Sequence, residues 1–315
     1  MFSKPYPSSK IKVPISCFTR KQLEIDMVDY GLETLGKLCN IIIAQYDFWP
    51  IPGKEMPHTD NYKMSPPIQF NVYKKNLHFI NFVESHENLK RAAYCRYLFE
   101  KYTSLPRCRR ELFVQSQCVK TLESSIENRA SVALNYRGER HSCIPCFIAF
   151  SPSLARAYVV VYEVGVENSP DCFRTLRIAH IRDVAAGLQD SALPILSQYR
   201  IKQQIDLYRE HFDPYLSYGK KVRIRLTAEG ERMLRNIVTN RPEICGEPVN
   251  GIYEFYCTET HAKHYFAQFL KEAEVLSPFS LREWFAGQFQ QAVSVYNKEG
   301  VPLEQSSDST QDTSL

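Results

Sequence analysis

Six arginines between Ser131 and Val184 have the side-chain chemistry best suited to gripping an anion: Arg137, Arg140, Arg156, Arg174, Arg177 and Arg182. The stretch holds no lysine, and five acidic residues, Glu139, Glu163, Glu167, Asp171 and Asp183, offset nearly all of its charge. Bulk charge is therefore not the signal. Arginine presents a planar fork that binds phosphate through two parallel hydrogen bonds and stacks on bases, whereas lysine is a point charge, so choosing arginine every time points to planar anion recognition. Tyr136 and Tyr158 offer stacking faces in the same stretch, and His141 lies between them. Tyr136, His141, Arg156, Tyr158, Arg174, Arg177 and Arg182 form the candidate nucleic-acid-binding set of this region.

Other chemistries have less support. Cys143 and Cys146 form a C-x-x-C pair with His141 nearby, a spacing that invites zinc, yet no second pair follows at finger spacing and both cysteines sit in an apolar run. His261 and His264 lie one helical turn apart, which is more often a surface feature than a ligand pair. The chain contains no H-E-x-x-H, no G-x-x-x-x-G-K-[ST] and no G-x-S-x-G. These absences argue against an enzyme, and neither a cofactor nor a bound metal is expected.

The arginines must be held by strands. Between 131 and 184 four runs rich in Val, Ile, Phe and Tyr are broken at Arg137-Gly138, Ser151-Pro152 and Asn168-Ser169-Pro170, which reads as an antiparallel meander closing into a small barrel. Val132, Leu134 and Tyr136 share one face, as do Tyr158, Val160, Tyr162 and Val164. In the last run Leu176 and Ile178 claim the core, so strand parity puts Arg177 in an open groove, and Arg174 reaches that groove only from beyond regular pairing. A first strand over Ile126 to Tyr136, a second with Pro145 and Phe150, the third, ARAYVVVYE, and the fourth, FRTLRIAHI, together resemble the WYL domain family. Ala157-Tyr158-Val159 stands where the family has Trp-Tyr-Leu, and Arg174 and Arg177 match the two leading arginines of its last strand. The resemblance implies an SH3-like barrel over residues 126–184 that binds nucleic acid or nucleotides.

Residues 10 to 46 read as strand, helix, helix. Ile11, Val13, Ile15 and Cys17 alternate with polar positions, Thr19 and Gln22 form a capping box, Gly31 stops the first helix and Thr34 caps the second. One strand with two short helices cannot close a core, so pairing with a second copy, and hence a homodimer, is expected. Residues 1–49 resemble the ribbon-helix-helix family, in which paired strands enter the DNA major groove. The resemblance makes Lys10 and Lys12 candidate nucleic-acid contacts. Pro14 in the outward set reads no base, which leaves a dimer clamp without DNA contact as an equal reading.

Residues 50–125 form a proline-rich linker followed by a helical region, with one helix from His86 to Tyr102 and another from Glu111 to Asn128. From Leu89 to Arg110 seven basic residues face Glu100 alone, and Tyr94, Tyr97 and Tyr102 interleave with them. Such a run is either a solvated face or a nucleic-acid path. Residues 185–218 read as a helical connector. Residues 219–300 alternate strand and helix in a ferredoxin-like α+β layer, with Lys221, Arg223 and Arg225 on one strand face. Residues 301–315 read as a disordered tail.

A 315-residue chain with 44% hydrophobic and 23% charged residues fits an α+β multidomain protein. No apolar run reaches membrane-spanning length and the N-terminus lacks a signal-peptide core, so a cytoplasmic protein with ten reduced cysteines and no membrane partner is expected. Two functions fit. One is an accessory protein binding single-stranded nucleic acid, RNA favoured, and the other is a ligand-sensing transcription regulator reading DNA through its N-terminal segment. The order ribbon-helix-helix, WYL, C-terminal extension is similar to the WYL accessory family of type VI-D CRISPR systems. That similarity implies single-stranded RNA binding and a CRISPR effector nuclease as a further partner.

Overall fold

The computed structural model describes residues 9–49, 64–87, 89–163 and 172–297. The turn at Asn168-Ser169-Pro170, Val164, most of the proline-rich linker and the tail at 301–315 lie outside them. The chain divides into two units, residues 1–218 and 219–315. Among the described residues no helix is long and apolar enough to cross a membrane.

The first unit opens with β1 (Lys10–Val13), α1 (Cys17–Asp29) and α2 (Leu35–Ala44), the expected strand, helix, helix. Ser16, not Thr19, caps α1, its side chain accepting from the Thr19 amide at 3.0 Å. Thr34 caps α2 as anticipated. The strand does not wait for a second copy. It pairs antiparallel with β2 (Ile68–Asn71), Lys10 opposite Asn71 and Val13 opposite Ile68. Ile68 and Phe70 alternate inward as Ile11 and Val13 do, so the chain returns after the proline-rich stretch to supply the missing strand. The premise of the strand-paired homodimer is thereby corrected.

α3 (Lys74–His86), α4 (Arg91–Ser104), α5 (Arg107–Val114) and α6 (Ser116–Glu127) follow. The helix expected from His86 to Tyr102 is instead the end of α3 and all of α4, and the one expected from Glu111 is two helices meeting at Gln115. Ile11, Val13, Ile15, Leu23, Leu38 and Phe99 share one core with β2 and α4. Asn40 ties it together, donating to the carbonyls of Gly36 and Asn71 at 2.9 Å each and accepting from the Tyr73 amide at 2.7 Å.

The arginine-rich stretch forms β3 (Val132–Tyr136), β4 (Glu139–Ser151), β5 (Arg156–Glu163), β6 (Phe173–Arg177) and β7 (Ile181–Ala186). Their antiparallel order is β6-β5-β4-β3-β7, with a 3-10 turn at Ile178–His180 joining the two edges. Three points of the sequence reading are corrected. Ile126 belongs to α6, so the first strand starts at Val132, and a fifth strand, β7, is present. Among the described residues the edges β6 and β7 do not pair, so the sheet is not a closed barrel. One face packs Val132, Leu134, Val159, Val161 and Leu176 against Val119 and Leu122 of α6. The other packs Ile144, Phe147, Val160 and Tyr162 against α8 (Tyr199–Glu210), which follows the short α7 (Leu193–Leu196). β5 is therefore buried on both sides along its length.

The second unit runs β8 (Lys221–Leu226), α9 (Ala228–Asn236), β9 (Glu243–Ile244), β10 (Ile252–Tyr256), α10 (Glu259–Phe266), β11 (Ala273–Ser277) and α11 (Phe279–Tyr296). Its four strands lie antiparallel in the order β11-β8-β10-β9. Val222, Ile224, Phe255 and Val275 pack against Leu234, Tyr265, Phe266 and Leu281. The opposite face shows Lys221, Arg223 and Arg225, as their alternation foretold. The whole is a mixed α+β protein.

Candidate nucleic-acid interface

One end of the five-stranded sheet collects polar and aromatic side chains. β3 and β4 meet in a two-residue hairpin, Tyr136 opposite Glu139, with Arg137 and Gly138 at φ 53° and 93°. Positive φ at both turn residues is what the twist of a tight hairpin demands, and for a non-glycine residue it is an unusual conformation to hold. The turn throws Arg137 outward, its guanidinium 5.6 Å from the Tyr136 ring centre. Arg140, on the next strand position, is exposed. At the end of β5, Glu163 accepts from Arg174 at 3.0 Å, and the Arg174 side chain is still 59% exposed. His141 stands between Glu163 and Glu139, its ring nitrogens 3.8 and 3.9 Å from their carboxylates. Those separations exceed hydrogen-bond length, and His141 Nε2 is buried without a hydrogen-bond partner. The Tyr136 ring lies 6.2 Å from His141 and 6.3 Å from His180. Burial, with Arg177 and Arg137 adding to it, holds His180 down at about 4, so it is neutral near pH 7.

Of the residues singled out from sequence, the fold thus brings Tyr136, His141 and Arg174 together. Arg177 sits behind them, its amide donating to the Tyr136 hydroxyl at 3.5 Å, but its side chain does not face an open groove. The Arg177 side chain is 8% exposed and paired on every edge. Nη2 and Nη1 grip the Asp29 carboxylate at 2.6 and 3.2 Å, and Nε donates to Glu111 at 3.1 Å. Glu111, 0% exposed, also accepts from the amides of Ala179 and Ala157 at 2.9 and 3.1 Å. Burial raises Glu111 above the usual carboxylate range despite these donors. Burial would raise Asp29 too, but hydrogen bonds and charge from Arg177 and Arg107 prevail and hold it at about 2. Parity failed for Arg177 because Glu111 of α5 and Asp29 of α1 close over its end of β6, while Leu176 enters the core on the other face.

The remaining residues are placed apart. Tyr158 is 7% exposed, its ring 6.1 Å from Phe212, and offers no free stacking face. Arg156 lies at the opposite end of β5 from Glu163, about 23 Å away at strand rise. Arg182 donates to three carbonyls, Ala179 and Ile181 at 2.7 Å and Tyr30 at 2.5 Å, tying β7 to the end of α1. Lys10 and Lys12 are exposed on the separate β1-β2 pair. Sequence reasoning left Arg137 and Arg140 out of the site. The two-residue spacing between β3 and β4 was the signal that the turn would present them.

Part of the basic run from Leu89 to Arg110 is consumed within the fold. Arg110 donates to Asp26 at 2.7 and 3.2 Å, with Tyr102 completing that carboxylate at 2.9 Å. Arg107 holds Asp29 at 2.7 Å and Arg91 holds Glu84 at 2.5 Å. Tyr94, Tyr97 and Tyr102 are buried. These three arginines are anchors, whereas Lys90, Lys101 and Arg109 stay exposed. Cys143 packs in one sheet core and Cys146 in the other, and burial raises both thiols to about 12. Facing apart, they cannot converge on one ion. His261 Nε2 lies 2.9 Å from the Asn240 carbonyl. In the second unit Lys221, Arg223 and Arg225 meet Glu254 and Glu274 at 3.2, 3.8 and 2.7 Å.

No protein-family model matches the chain, and no curated protein matches it. Among solved structures, one described as a CRISPR Cas-related protein superposes with a TM-score of 0.68 at 16% identity, over 95% of this chain and 96% of that one. The proteasome accessory factor B/C of Arthrobacter aurescens gives a TM-score of 0.28 at 13% identity, over 75% of this chain and 40% of its own. The first likeness establishes a shared fold across both units' sequence span.

Proposed function

We propose that this chain is a non-catalytic regulatory protein of the cytoplasm that binds single-stranded nucleic acid, RNA before DNA, at the hairpin end of its five-stranded sheet. The observation that carries the proposal is the exposed pair Arg137 and Arg174 set around Tyr136 and the unsatisfied His141 Nε2, with Arg140 exposed at the same end of the sheet on the other face of β4. Guanidinium forks there bind phosphates, and the Tyr136 ring gives a base something to lie against. The WYL reading rests on the sequence resemblance, whose four runs form β3 to β6 of one antiparallel sheet. The ferredoxin-like reading of the second unit is supported by the order β11-β8-β10-β9. The full-length likeness to a CRISPR Cas-related protein favours an accessory role beside an RNA-guided effector nuclease. DNA reading by strands paired across two copies is set aside, because β1 already has its partner in β2. A filter-binding comparison of single-stranded RNA, single-stranded DNA and duplex DNA tests the proposal. Preference for the single strands is expected. Tight duplex binding with weak single-strand binding would overturn it.

A further inference from the structure

Helices α5 and α6 meet at Gln115, and with the end of α2 they wall a surface hollow of about 830 Å3. All of its lining residues lie between Ala44 and Glu123, outside the five-stranded sheet. Leu105, Leu112, Phe113 and Val119 give it an apolar lining. Phe48 stands among them 61% exposed, its ring 5.3 Å from Phe113 and 5.1 Å from Trp49. Four charged side chains complete the lining, Asp47, Arg109, Lys120 and Glu123, and all four are exposed. None of them is ion-paired to another described residue. The Arg109 guanidinium lies 5.5 Å from the Phe150 ring centre, a contact that steadies the fork and leaves its N–H donors free.

We propose that this hollow binds a short apolar peptide with both ends free, its carboxylate held by Arg109 and Lys120 and its ammonium by Asp47 or Glu123. The volume falls within the range of small-ligand clefts, roughly 300–1,000 Å3. Charge selects among the ligands of that size. A polyanion would set phosphates against Asp47 and Glu123, and an uncharged apolar ligand would take water from four charges and give nothing back. An internal stretch of a protein chain brings neither charged end. A zwitterion with apolar side chains answers the lining and the four charges together, an acid for the cations, an ammonium for the carboxylates and hydrocarbon for Phe48, Leu112 and Phe113. None of the lining residues belongs to the hairpin end of the sheet, so the inference does not rest on the nucleic-acid reading.

The chain has two tryptophans, so Trp284→Phe leaves Trp49, beside the hollow, as sole fluorescent reporter. Titrating the dipeptide phenylalanyl-leucine into that full-length variant should give a saturable change with a Kd of roughly 10–200 μM. Acetylating the dipeptide's amine or amidating its carboxylate should each weaken binding at least about fivefold. Changing Arg109→Gln with Lys120→Gln should erase the penalty of amidation and keep that of acetylation, and Asp47→Asn with Glu123→Gln should do the reverse. Phe48→Ala should weaken the dipeptide at least about fivefold, while Phe82→Ala on α3 should leave it unchanged. These side chains are exposed, so thermal melts of the variants should match the parent. No saturable signal up to about 5 mM overturns the proposal. So does a dipeptide blocked at either end that binds as tightly as the free one, which would assign the hollow to the end of a protein chain. Adenosine monophosphate binding more tightly than the dipeptide overturns it as well.

Discussion

Replacing Arg177 with methionine separates a buried clamp from a ligand contact. The Arg177 guanidinium bridges Asp29 of α1 and Glu111 of α5, at 2.6 and 3.1 Å, from β6. Glu111 is 0% exposed, so removing Arg177 strands a carboxylate where water cannot reach it. Breaking one side of a buried pair costs about 3–5 kcal/mol, far more than the roughly 0–1 kcal/mol of a surface pair. For a unit of 218 residues that corresponds to a fall in Tm of about 6–20 °C. Urea unfolding of Arg177→Met, Glu111→Gln and the double variant should show a coupling of at least about 1 kcal/mol, because the second change neutralises the stranded charge. Below its melting point Arg177→Met should bind single-stranded RNA as the parent does. A stability within about 0.5 kcal/mol of the parent, together with weakened RNA binding, would refute the clamp and restore Arg177 to the interface.

Three further outcomes rest on particular side chains. Asp29, held at about 2 against an ordinary value of 3.8, contributes stability that is fully present above pH 4 and lost as pH falls toward 2. The gap in urea midpoint between the parent and Asp29→Asn should therefore narrow across that window, and a constant gap would contradict the assignment. A Cβ on Gly230 would collide with the Glu272 carbonyl oxygen, so Gly230→Ala should destabilise the second unit by about 1–3 kcal/mol, read as a lower melting transition. Cys17 is exposed while Cys39, Cys95, Cys143 and Cys146 are buried with raised thiol pKa values, so Cys17→Ser should remove the fastest phase of thiol labelling and leave those four slow until urea unfolds the chain.

The local rules were legible where one face of an element meets water. Alternation in Ile11, Val13 and Ile15 gave β1, Thr34 gave the start of α2, and Lys221, Arg223 and Arg225 came out on the open face of β8. They failed where two layers cover a strand. β6 was read as half-buried, yet Leu176 and Arg177 are both buried, at 5% and 7% exposure, because Glu111 of α5 and Asp29 of α1 close over Arg177 at the strand's end. The partner of β1 was hidden for a different reason. Ile68 and Phe70 follow a long proline-rich stretch, and nothing local in four residues announces which distant strand they join. Arginines held by partners within the fold are the hardest case. Arg110, Arg177 and Arg182 look in sequence like Arg137 and Arg140, and only the positions of Asp26, Asp29, Glu111 and the Tyr30 carbonyl separate clamps from free forks.

If the exposed arginines at the hairpin end of the sheet hold phosphates, the salt dependence of single-stranded RNA affinity reports on them most directly. With Arg137, Arg140 and Arg174 all changed to glutamine, affinity at low salt should fall at least about a hundredfold. The slope of log K against log salt should flatten by about two units, at roughly 0.7 for each phosphate no longer held. An unchanged slope and affinity in the triple variant, with its melting temperature intact, would contradict the account.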